Sequence, residues 1–151
     1  MKFFQLLLLN VVVLADFSLH YKTDSIDPSF VTYTLGNDKT EFKAYIDLQR
    51  PYSFVYSFNC IEKESCDHND HKVTYDPTKS GGKPLDKQFI DNKYNDFYYY
   101  EGEYYNDTMH IGNQDFNLEF GLVEYGEGGF SKLDGVLGLG IGESGTDSVV
   151  N

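Results

Sequence analysis

The chain has no tryptophan, a single arginine and only two cysteines, and after its first residues it holds no apolar run long enough to span a bilayer. Helical periodicity is almost missing, which argues against a helical bundle. No internal repeat and no linker-like stretch divides the 151 residues, so one domain is expected. Positive charge is scarce: 12 Lys and Arg stand against 24 Asp and Glu, a formal net charge of −12. Nucleic acid and anionic membrane surfaces repel such a chain, leaving cationic partners or simple solubility as the meaning of the excess.

What is present is aromatic and turn-rich. Thirteen Tyr and twelve Phe, with frequent Asp, Asn and Gly, suit short pleated strands joined by turns. Strands are predicted at 30–35, 42–47, 53–58, 88–92, 97–105, 109–111 and 118–125, giving an all-β protein. Leu35-Gly36-Asn37-Asp38 reads as a hairpin turn and 75–82 as a loop. The tyrosines of 98–105 could present sugar-stacking faces, but a twisted hairpin with alternate tyrosines packed inward accounts for them more simply.

The N-terminus has the pattern of a secretory signal: Lys2, an apolar run from Phe3 to Leu14, then small residues before a cleavage point after Ala15. Residues 1–15 are therefore expected to be a signal peptide, 16–151 the domain itself, and the destination the outside of the cell or the lumen of the secretory and lysosomal pathway. A retained signal anchor is the alternative, and no stable membrane span is expected once the signal is cleaved. Export makes a small-loop disulfide the default for Cys60 and Cys66. Zinc held by Cys60, Cys66, His68 and His71 is the competing use, but the spacing fits no strong zinc pattern. No metal and no cofactor is expected. Asn106-Asp107-Thr108 is a glycosylation sequon, usable if exposed.

Two stretches carry the functional signal. Lys132-Leu133-Asp134-Gly135-Val136-Leu137-Gly138-Leu139-Gly140 is an Asp-Gly pair followed by apolar residues broken by single glycines, as a buried, closely crossing strand requires. Asp47 closes the strand-like run Phe42-Lys43-Ala44-Tyr45-Ile46. The series Gly138, Gly140, Gly142 has no adjoining Lys-Ser/Thr and no strand-glycine-helix context, so a nucleotide loop is set aside.

In order and spacing these residues resemble the pepsin-type aspartic peptidases, over about Tyr33 to Gly140. Gly36 precedes Asp47 as the family's hairpin glycine precedes its first catalytic aspartate. Ser53-Phe54-Val55 stands where Leu-Trp-Val is usual, and Cys60 with Cys66 is similar to the small disulfide loop. Tyr75-Asp76-Pro77-Thr78-Lys79-Ser80 resembles the aromatic-x-Pro-x-x-Ser segment, Tyr94 falls at the flap tyrosine and Gly102 at the flap's second glycine. Asp107-Thr108-Met109-His110-Ile111-Gly112, Phe120-Gly121-Leu122 and 133–139 complete the series. The resemblance implies a pepsin-like β-barrel: a single, incomplete N-terminal lobe, truncated at its C-terminus. Enzymes of this type place a second aspartate in a second lobe, and no Asp-Thr-Gly occurs anywhere in this sequence.

The departures fall on the chemistry. Two carboxylates that share a proton do the family's acid–base work, the first within Asp-Thr-Gly-Ser. Here the loop is Asp47-Leu48-Gln49-Arg50: Leu48 lacks the threonine hydroxyl, Gln49 replaces the turn glycine, and Arg50 replaces the serine. A guanidinium turned toward Asp47 would favour the anion and oppose proton sharing. Pro51 further restricts the turn. Asn95-Asp96-Phe97 follows Tyr94 where a glycine is common, and Phe54 has no N–H for the flap tyrosine. Asp47 then serves either as a degenerate catalytic residue or as a turn residue after a strand, and Asp134 as the support of the Gly135 turn. The expectation is a non-catalytic domain that binds a peptide or protein through the former substrate cleft or a strand edge. The alternative is an aspartic endopeptidase, active as a homodimer or when a completing chain supplies the other half.

Overall fold

The computed structural model describes residues 30–62, 66, 73–92, 99–127 and 133–140. Among these residues seven strands and two short helices follow one another: β1 (Phe30–Leu35), β2 (Thr40–Asp47), β3 (Ser53–Tyr56), α1 (Phe58–Glu62), α2 (Pro77–Ser80), β4 (Lys83–Asp91), β5 (Tyr99–Ile111), β6 (Gln114–Glu127) and β7 (Gly135–Gly138). In the sheet they are ordered β1-β2-β7-β3-β6-β5-β4. A further pairing of β1 with β5, at Thr34 with His110 and Leu35 with Met109, closes six of them into a barrel. Strand β4 lies outside the ring and, among the described strands, pairs with β5 alone.

Hairpins make most of the antiparallel pairs, β1–β2 and β5–β6 among them. Strand β7 threads between β2 and β3, parallel to the first and antiparallel to the second, and β3 in turn pairs parallel with β6. Glycine makes that threading feasible. A Cβ on Gly135 would overlap the carbonyl oxygen of Phe54, and one on Gly138 that of Tyr52.

Side chains separate into two apolar clusters. Val31, Tyr33, Leu35, Phe42, Ala44, Met109, Leu118 and Leu137 fill one. The other centres on Phe54, whose ring lies 4.9 Å from Tyr100 and 5.9 Å from Phe89, with Tyr56 edge-on at 6.1 Å. Tyr100 and Tyr104 point into this cluster while Glu103 between them is exposed. The inward packing expected of alternate tyrosines is what the strand adopts.

Where boundaries differ from those predicted, the reason is local. Predicted strand 53–58 stops at Tyr56, because Ser57 bridges to Tyr75 and the Phe58 N–H donates to the Tyr75 carbonyl, turning the chain into α1. Asn106-Asp107-Thr108 looks like a break between two strands, yet β5 runs through it, since Glu119, Leu118 and Asn117 of β6 pair with all three. The predicted loop at 75–82 contains α2, which is capped by Asp76 accepting from the Thr78 N–H, begins at Pro77, and ends on Gly81 at φ 87°. Strands 42–47 and 118–125 extend to the bounds of β2 and β6, and 88–92 lengthens at its start to Lys83 but ends one residue earlier, at Asp91.

Candidate functional site

Asp47 is the last residue of β2, and its side chain is buried, 8% exposed. Its backbone pairs with Gly138 of β7. The following turn is held from below: the Leu139 N–H donates to the Asp47 carbonyl at 2.8 Å, and the Gly140 N–H to the Arg50 carbonyl at 2.8 Å. Ser53 Oγ accepts from the Gly138 N–H at 3.1 Å. The framework that presents Asp47 is therefore intact.

Around the carboxylate the donors are of another kind. Oδ1 accepts from the Gln49 N–H at 2.8 Å and the Arg50 N–H at 3.1 Å. Oδ2 accepts from Arg50 Nη1, and Arg50 Nε donates to Asp91 Oδ2 at 3.0 Å. Arg50 and Asp91 are 4% and 2% exposed, so the triplet Asp47–Arg50–Asp91 is buried throughout. Burial by itself lowers the Arg50 guanidinium, but the Asp91 and Asp47 carboxylates outweigh it and hold it above its ordinary value. Arg50 stays charged under all working conditions. Leu48, by contrast, projects outward at 73% exposure, and Gln49 is exposed beside it.

Sequence reasoning brought Asp47, Leu48, Gln49 and Arg50 to one loop, and the structure places them there. It missed Asp91. The signal was available in principle: Phe89 is an inward position of β4, so Asp91 two residues on is inward as well, and a buried carboxylate needs a cation. The one arginine of the chain is that cation. Tyr94, the predicted flap residue, lies outside the described residues, as do 1–29.

Asp134 has the supporting role expected for it. Its Oδ2 accepts from the Lys43 N–H at 2.7 Å, and its own N–H donates to the Lys43 carbonyl at 2.8 Å, which fixes the entry to β7. Cys60 and Cys66 form a disulfide with Cα atoms 5.3 Å apart, buried against the aromatic cluster. That bond removes both sulfurs as thiolate ligands, while His68 and His71 lie outside the described residues. Asn106 is half-buried in the middle of β5, opposite Lys83 of β4 and Glu119 of β6.

A closed β-barrel in which a glycine-bearing strand supports an Asp-ended loop is the architecture of a pepsin-like lobe. The family description "eukaryotic aspartyl protease" matches residues 30–151, and the chain belongs to that family. No individual curated protein matches it.

Proposed function

We propose that this chain is an aspartyl-protease-family domain of the secretory or lysosomal route that does not cleave peptides by itself and instead binds a peptide or protein. The observation that carries the proposal is Arg50. Its guanidinium occupies one oxygen of Asp47 while two backbone N–H groups hold the other. A shared-proton dyad needs that carboxylate open to a second carboxyl group and a water. The disulfide and the signal-like residues 1–15 support an exported protein, with Asn106 a candidate glycosylation site. On this proposal the purified protein leaves unfolded substrates intact between about pH 2 and pH 6. Pepstatin-sensitive cleavage that disappears in Asp47→Asn would overturn it.

One observation favours a second reading. Asp47 keeps its place at the end of β2 with the β7 support beneath it, as an aspartic endopeptidase would need. Activity would then come from a homodimer or a completing chain. Sedimentation of a monomer at micromolar concentration removes the homodimer version, and the intact mass of the endogenous product decides whether a longer chain is its natural form.

A further inference from the structure

We infer that the open edge of β4 and the acidic groove beside it form a docking surface for a cationic peptide bound in extended form. The inference rests on the binding role proposed above and specifies its place and its partner chemistry. Strand β4 is the terminal strand of the sheet, and no described strand covers its second edge. Its first half is a poor template: Pro84 has no N–H, Asp86 has φ 52°, and the register slips between Pro84 and Gln88. From Gln88 to Asp91 the pairing is regular. Phe89 and Asp91 are drawn inward there, while Ile90 is 46% exposed. That stretch provides backbone hydrogen-bonding groups and one branched apolar side chain to an incoming strand.

Charge selects the occupant. A groove of about 630 Å³ crosses the sheet from β4 over β5 to β6, lined by Asp86, Glu101, Glu103, Glu124, Tyr125 and Lys87. The Lys87 ammonium is directed elsewhere, to Glu119 at 3.2 Å and over the Tyr104 ring at 4.2 Å. Neighbouring phenols register the negative field. The Tyr105 hydroxyl is raised first by burial and then by Glu103 and Glu124, and the Tyr99 hydroxyl by its hydrogen bond to Glu101. Tyr125 meets Tyr99 edge-on at 6.1 Å and remains 43% exposed, a ring surface suited to an ammonium or guanidinium.

Register makes the match specific. Gln88 lies opposite Glu103 and Ile90 opposite Glu101. A strand added to β4 would stand two spacings from those glutamates, about 9.5 Å, within the combined reach of Lys and Glu side chains. An alternating sequence then sets its cations on the face shared by Ile90, Glu101 and Glu103, and its aliphatic residues on the opposite face, that of Phe89. A chain with net charge −12 attracts such a peptide before contact and repels an acidic one.

Fluorescence anisotropy with a labelled peptide of alternating lysine and valine tests this directly. The lysine peptide is expected to bind and its glutamate counterpart to fail. Replacing Glu101→Gln, Glu103→Gln and Glu124→Gln together should weaken binding roughly tenfold or more, with near-UV circular dichroism confirming the fold. Alternate N-methylation of the peptide, which removes strand pairing without altering the protein, should weaken it comparably. Equal binding of both peptides, or indifference to the triple replacement, overturns the inference. Binding lost in Leu48→Asp but retained in the triple variant also overturns it, and leaves the broader binding role standing at the catalytic turn. Failure of the lysine peptide and of an unbiased peptide library alike overturns both.

Discussion

Asp47 and Asp134 stand at the ends of neighbouring parallel strands and put their carboxylates to different uses. Asp134 is tied to the backbone of Lys43, accepting from its N–H and donating its own N–H to its carbonyl. Asp47 also accepts two backbone N–H groups, but its other oxygen belongs to Arg50, which reaches on to Asp91. The first arrangement depends on chain geometry and the second on charge. Glycines let β7 cross closely, while an arginine and a second carboxylate surround Asp47. Framework and chemistry are separable in this lobe, because backbone hydrogen bonds hold the strands while a few side chains set the charge environment.

The comparison breaks most readily at Arg50. Arg50→Ala leaves two buried carboxylates without their cation and should cost about 3–5 kcal/mol in urea unfolding. A loss below about 1 kcal/mol would mean that charge does not hold the Asp47 loop. Asp134→Ala removes the acceptor for the Lys43 N–H and should cost about 1–3 kcal/mol. Asp134→Asn keeps an acceptor oxygen, so its cost should be clearly smaller. If it equals that of Arg50→Ala, the distinction between geometry and charge collapses.

Alkaline pH sharpens the same comparison. Burial raises the Tyr33 hydroxyl, with the Asp134 charge adding to it, and burial raises Tyr75 ahead of its hydrogen bond to Asp107. Unfolded phenols ionise near 10.0 while these two retain their protons, so their stabilisation is full below that pH and declines as pH rises above it. Phenolate absorbance followed alongside unfolding should show the decline, with Tyr33 ionising at lower pH in Asp134→Asn than in the parent. The smallest effect is expected at Asp38. Burial raises this carboxyl, the hydrogen bonds from Thr40 and Ser80 and from the backbone together outweigh it, and the net shift is downward. Its contribution is present above 3.8 and fades as pH falls. Asp38→Asn should therefore lower the neutral plateau slightly and flatten the acid limb of the stability profile.

Much of the fold was legible because its signals are local. β1 follows from alternation and the Gly36 turn, and the crossing at β7 follows from an Asp-Gly pair with spaced glycines. The continuity of β5 through Asn106-Asp107-Thr108 was not legible, since turn-forming residues are held extended by a partner strand that starts at Gln114. At the site, the replacement of the serine by Arg50 was plain. Its second partner was not, because Asp91 lies 41 residues away and reaches Arg50 only through the placement of β4 against the barrel.

The sequence by itself determined the all-β class, the strand-closing Asp47, the altered Leu48-Gln49-Arg50 turn and the cysteines available for a disulfide, since each rests on residue type and near spacing. Only the tertiary structure decided that six strands close on one another, that Arg50 bridges two carboxylates, and that β4 is the terminal one of the described strands, paired with the strand that carries Glu101 and Glu103. Those outcomes depend on which strands become neighbours, and strand pairing joins residues that sequence proximity does not.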